Sequence, residues 1–163
     1  MNIAQKSRKL ADFIIELEQF NTISDKKKPV YDHIGALYTD TILQAGLNYR
    51  TVVKPRVEYV LQNFPNAKTI SSFSRVIDKN GLENVICWSH QTKLQRMEVL
   101  LEYSDLNNIN TISDLRDFLS TKPNHHSILE LKGIGPKTLD YLLKLVAFDS
   151  VAIDRHIYKF VDL

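Results

Sequence analysis

Cysteine is nearly absent: Cys87 is the only one in 163 residues. A lone thiol closes no internal disulfide and supplies no four-cysteine iron–sulfur cluster or zinc site, so an apolar core has to hold the fold. Cys87 lies in the apolar run Val85-Ile86-Cys87-Trp88, which predicts a buried, inert thiol. Long apolar runs are missing too. No segment approaches the ~20 residues of a membrane-crossing helix, and the start, Met1-Asn2-Ile3-Ala4-Gln5-Lys6, lacks the apolar stretch of a secretory signal. The expectation is a soluble, cytoplasmic, non-secreted protein. Charge of one sign is also scarce. Lysine and arginine total 21 against 19 acidic residues, a net charge of +2. A nucleic-acid partner is permitted only through local clustering of basic groups. Strand-like alternation is not apparent anywhere.

What is present is helical periodicity in a composition ordinary for globular proteins, 44% hydrophobic and 25% charged. Apolar residues three and four apart predict a helix over 3–20. Further helices are expected over Tyr31 to Ala45, Thr51 to Asn63, Ser72 to Lys79 and Gln91 to Tyr103, with a short apolar turn from Leu82 to Trp88. Gly46 can end the second at positive φ, and Pro55 is tolerable in the first turns of the third. Thr111-Ile112-Ser113-Asp114 carries cap chemistry for a helix through Leu119. A short helix, Ser127 to Leu131, leads into a glycine turn, and a last helix runs from Pro136 to about Ala147. Thr-Ile-Ser recurs at 22, 69 and 111 at unequal intervals, which reads as shared cap chemistry and not as a repeat. Lys26-Lys27-Lys28 reads as a solvated loop. His125 and His126 read as adjacent loop histidines pointing apart, and His33 and His90 show no partner in the sequence. The fold class is all-α, with nine or ten short helices.

The chemistry gathers at Leu131-Lys132-Gly133-Ile134-Gly135-Pro136-Lys137-Thr138. Gly133 and Gly135 allow a sharp turn and close approach of backbone to a ligand. Ile134 between them can anchor the turn in the core. The helix opening at Pro136 offers free N–H groups and a positive dipole end, a setting that binds phosphate without reading sequence, and Lys132 can add charge there. Lys137 sits in the first helical turn, where the dipole disfavours a cation by roughly 0.3–1 kcal/mol. A lysine acting as nucleophile needs the neutral amine. Asp154, in Val151-Ala152-Ile153-Asp154-Arg155-His156, can cap a following helix or move protons for a nearby lysine.

This stretch resembles the helix-hairpin-helix of the DNA glycosylase superfamily that includes endonuclease III and 8-oxoguanine glycosylase. The segment ending in Asp154 is similar to that family's aspartate signature, with Asp149-Ser150-Val151-Ala152 where the family carries Gly-Pro. Ile42-Leu43-Gln44-Ala45 looks like its Leu-Gln helix end, and Trp88-Ser89 to Lys93-Leu94 like the start of the helix before the hairpin. The resemblance covers about residues 30–160. It implies a helical domain over 30–147 with the hairpin at 127–147, and a small second domain made of 1–29 and 148–163. Nine residues follow Asp154, so that second domain is expected to be incomplete.

The resemblance further implies base-excision repair by a glycosylase with AP-lyase activity. Lys137 would attack the sugar C1′ of a flipped nucleotide, form a Schiff base and nick the strand by β-elimination, supported by Asp154. Lys132, Gly133, Ile134 and Gly135 would hold the DNA backbone, Gln44 would fill the gap in the stack, and His156 could contact phosphate. Carbonyl oxygens of Leu129, Leu131 and Ile134 would hold K+ or Na+; no other cofactor is implied, and no iron–sulfur cluster. The partner would be double-stranded DNA with a damaged base or an abasic site, bound by a monomer. The alternative is a hairpin module or remnant that binds DNA without catalysis.

Overall fold

The computed structural model describes residues 3–16 and 29–150. Their regular structure is entirely helical: α1 (Ile3–Glu16), α2 (Ile34–Leu43), a wide π turn (Tyr49–Val53) that runs into α3 (Lys54–Asn63), α4 (Ile70–Asn80), α5 (Leu82–Val85), α6 (Gln91–Leu106), α7 (Ile112–Phe118), α8 (Lys122–Leu129) and α9 (Pro136–Leu145). The chain divides into two units, residues 1–27 with 153–163, and residues 28–152. Taken by itself, α1 is an amphipathic helix of 14 residues. The lysine run at 26–28, Asp154 and His156 lie outside the described residues. Among the described residues, no helix is long and apolar enough to cross a membrane.

The larger unit is built around α2. All ten of its residues are buried, as expected of a helix that is apolar all round and enclosed by others. It packs against α3, α4, α6 and α9. Its few polar groups are satisfied internally. Thr39 and Thr41 donate to the carbonyls of Gly35 and Leu37, and the Tyr38 hydroxyl meets Ser104 Oγ at 2.7 Å. Phe73 from α4 is fully buried and lies so close to Gly35 that a Cβ there would fall 2.5 Å from its ring.

Helix starts follow side-chain chemistry. The second helix begins at Ile34 and not at Tyr31, because His33 caps it. His33 Nδ1 accepts from Ala36 N–H at 3.1 Å, so Nε2 carries the proton and donates to Phe64 O at 3.0 Å. Thr69 and Thr111 both open helices with reciprocal capping boxes, to Ser72 and Asp114. The shared tripeptide is thus shared cap chemistry at these two sites. Asn110 joins them, its carbonyl accepting from Ile70 N–H and its side chain from Ser71.

Two expectations are overturned. Cys87 is exposed, because it falls in the turn after α5 at φ +51 while Val85 and Ile86 turn inward. His125 and His126 lie within α8 and not on a loop: Pro123 fits the first turn of a helix, and His125 Nε2 donates to Leu119 O at 2.8 Å.

Burial holds the His33 pKa below its ordinary 6.5. The unfolded chain therefore takes up a proton near pH 6.5, where the folded chain still resists it, and stability falls as pH drops through that window. Urea midpoints at pH 7.5 and 5.0 should show this loss, and His33→Asn, which keeps an N-cap acceptor, should reduce it.

Candidate functional site at the hairpin end of α2 and α9

The glycine turn joins α8 to α9. Gly133 sits at φ +88, a left-handed conformation that L side chains rarely adopt, and a Cβ there would run into the Arg96 side chain, with Cγ and Cδ only 2.8 Å away. Ile134 is buried, its N–H donating to Leu131 O at 3.0 Å; this pins the turn to the core. Gly135 is the N-cap of α9, with extended backbone and open space where a Cβ would project. Lys132 is exposed and borders, with Thr92, Gln95, Arg96, Val99 and Gly133, a small depression of about 90 Å³. Lys137 is exposed in the first turn of α9.

Three contacts fix how α9 lies on the central helix. Val30 N–H donates to Leu145 O at 2.9 Å, so the entry to α2 lies beside the end of α9. At the opposite end Lys93, in the first turn of α6, donates from Nζ to Ile42 O at 2.6 Å and Ala45 O at 2.8 Å. Arg96, on the next turn of α6, packs on Gly133 immediately before α9. Helices α2 and α9 therefore run antiparallel, and Gln44, the C-cap of α2, shares an end with Lys137. Gln44 Nε2 is buried and has no acceptor among the described residues.

One turn in from that end lies a polar cluster. Asp40, on α2 and 1% exposed, accepts from Tyr31 OH at 2.7 Å on Oδ2 and from Tyr141 OH at 3.0 Å on Oδ1. Burial raises the Asp40 pKa, opposed by these two bonds. Burial, then the adjoining carboxylate, pushes both phenols up. Tyr141 follows Lys137 by four residues and so shares its helix face.

Lys132, Gly133, Ile134, Gly135 and Lys137 thus lie on one hairpin, with Gln44 at the same end of the helix pair. Sequence reading passes over Asp40, Tyr31, Tyr141, Lys93 and Arg96. A signal existed for Asp40, the one charged residue in the helix Ile34–Leu43. Another existed for Lys93, which falls beside Leu94 on the α6 face that holds Met97 and Leu100.

Lys93 closes the helix end that carries Gln44. Its ammonium meets the negative end of the α2 dipole, yet burial, with help from the charge of Arg96, brings its pKa down to about 8 from 10.5. Between those pH values the unfolded chain holds the proton that the folded chain has released, so stability rises with pH across the window. Thermal melts from pH 8 to 10.5 should show that rise in the wild type and a flatter profile in Lys93→Met.

Set against family models, curated proteins and solved structures, the chain gives no significant match.

Proposed function

We propose that this protein is a base-excision DNA glycosylase of the helix-hairpin-helix kind, with AP-lyase activity. The observation that carries the reading is an exposed lysine, Lys137, in the first helical turn after a Gly-Ile-Gly hairpin, at the same end of an antiparallel helix pair as Gln44. The hairpin offers one DNA phosphate the opening of α9, where Gly135 leaves room for close approach, with Lys132 and Arg96 as neighbouring cations.

Extrusion of a damaged nucleotide brings its C1′ to the Lys137 amine, and Gln44 takes the vacated place in the stack. The amine attacks C1′ as the C1′–base bond breaks and the base leaves with a proton. The C1′–O4′ bond then opens, O4′ taking up the remaining amine proton, to give the Schiff base, which loses a C2′ proton as the 3′ phosphate leaves by β-elimination. Asp154, outside the described residues, is assigned proton transfer in this reaction, and His156 a phosphate contact. The protein acts as a monomer on double-stranded DNA.

A K+ or Na+ ion at the same hairpin would be held by the neutral carbonyl oxygens of Leu129, Leu131 and Ile134. Leu129 ends α8, where carbonyls lack an intrahelical partner. Leu131 O keeps one lone pair beyond the bond from Ile134 N–H. A cation there would add positive charge facing the phosphate.

The test is incubation with duplex DNA carrying one abasic site, in the presence of borohydride. A covalent protein–DNA adduct is expected. Salt-dependent binding without an adduct would instead mark a hairpin module that holds DNA and does no chemistry on it.

A further inference from the structure

Among the described residues Lys93 is the one buried lysine, 8% exposed. It is too enclosed to meet a DNA phosphate, so its charge acts on the protein. We infer that Lys93 is a positioning residue: it holds the backbone at the end of α2 so that the Gln44 side chain can leave its buried seat and enter the DNA stack. The inference rests on the glycosylase reading and names what aims the gap-filling side chain in it.

The last carbonyls of a helix have no intrahelical partner, and α2 carries no basic residue in its last turn to meet them. Lys93 supplies one from α6. Its Nζ donates to Ile42 O at 2.6 Å and to Ala45 O at 2.8 Å, so one ammonium ties the backbone before and after Gln44. A neutral donor would satisfy a carbonyl at a lower desolvation cost. An ammonium has three N–H groups and holds both carbonyls at once, and with its pKa brought down to about 8 it stays mostly charged at neutral pH. Beyond the tie, Gly46 sits at φ +81 with nothing within 4 Å of the place a Cβ would take, so the chain there is loosely packed.

The side chain of Gln44 is held less well than its backbone. Gln44 N–H donates to Asp40 O at 3.0 Å, whereas Nε2 is buried and meets no acceptor among the described residues. An unpaired buried donor is costly. Base edges left open by an extruded nucleotide offer acceptors, so moving into the gap relieves that cost. A side chain that moves needs a backbone that does not, because ordering a loose helix end at the moment of binding would oppose it. Lys93 removes that penalty by fixing the backbone before DNA arrives.

The experiment measures equilibrium affinity for two duplexes, one intact and one with a tetrahydrofuran abasic site, which lacks the C1′ hydroxyl and forms no Schiff base. Only the second has a gap to fill. The wild type should prefer it, and Gln44→Ala should lower that preference by about fivefold or more. Lys93→Met, close in length but without N–H donors, should lower it by a similar factor while binding intact duplex as the wild type does. In the Gln44→Ala background Lys93→Met should lower it no further, within about twofold, because the lysine acts through the glutamine. Should Lys93→Met fail to fold, Lys93→Gln, with a shorter stem and a neutral amide, carries the same expectation. A folded Lys93 variant that keeps the preference, weakens both duplexes alike or multiplies with Gln44→Ala overturns the inference. So does a wild type with no preference, or a preference that Gln44→Ala leaves unchanged. Failure of the wild type to form a borohydride-trapped adduct with natural abasic DNA is a separate result, and it overturns the glycosylase reading beneath.

Discussion

Lys137→Ala is expected to form no borohydride-trapped adduct with abasic DNA and to nick it at less than about a thousandth of the wild-type rate. A Schiff base requires a primary amine at C1′, and removing the nucleophile removes the covalent route itself, not a few tenths of binding energy. Fold and DNA affinity should survive. Lys137 is exposed, and a small side chain is welcome in the first turn of a helix. The variant should still bind abasic duplex within about tenfold of wild type, losing one of several cationic contacts and one unit or less of salt slope. Single-turnover nicking assays and titrations at two salt concentrations separate the chemical step from binding. An Arg substitution restores the charge without a usable nucleophile, so Lys137→Arg should bind like the wild type and remain silent in trapping.

Gly133→Ala is expected to weaken both the fold and the DNA contact. Two independent penalties meet at one methyl group. The backbone is at φ +88, where a non-glycine residue costs about 1–2 kcal/mol. The added Cβ also falls on the Arg96 side chain, an overpacking of about 1–3 kcal/mol unless the arginine moves. Because Arg96 is a long and flexible side chain, it yields first, and its displacement takes a cation away from the hairpin. Loss of about 2–5 kcal/mol of stability is the expected sum, read as a lower urea midpoint with unchanged slope. DNA affinity should fall by more than tenfold at low salt. Gly135→Ala is the contrasting case: backbone there is extended and space is open, so it should keep its stability and lose affinity only through the room the phosphate needs.

The features legible from sequence are those a local pattern determines. The Gly-Ile-Gly turn, the inward Ile134, the stop at Gly46 and the Thr111 cap depend on residues within one or two helical turns of one another. The apolar row of α2 was equally readable, although its ten buried positions hid the meaning of the one carboxylate among them. What was not legible depends on partners far along the chain. Asp40 and Tyr141 are 101 residues apart, and Lys93 reaches Ala45 across 48. No periodicity pairs such residues, because their meeting is set by how whole helices pack. Cys87 misled for a different reason: hydrophobicity of a run says nothing of a residue that adopts φ +51 and turns its side chain out. His125 and His126 misled because nothing in two adjacent histidines announces the helix that Pro123 starts.

The most direct measurement is the position of the covalent bond. Protein trapped by borohydride on abasic duplex is digested with protease and nuclease, and the modified peptide is identified by mass spectrometry. The expected result is a single sugar remnant on the side chain of Lys137. An adduct carried by the N-terminal amine or by another lysine, or no adduct under conditions where the protein binds the same DNA, would contradict the assignment of Lys137 as the nucleophile.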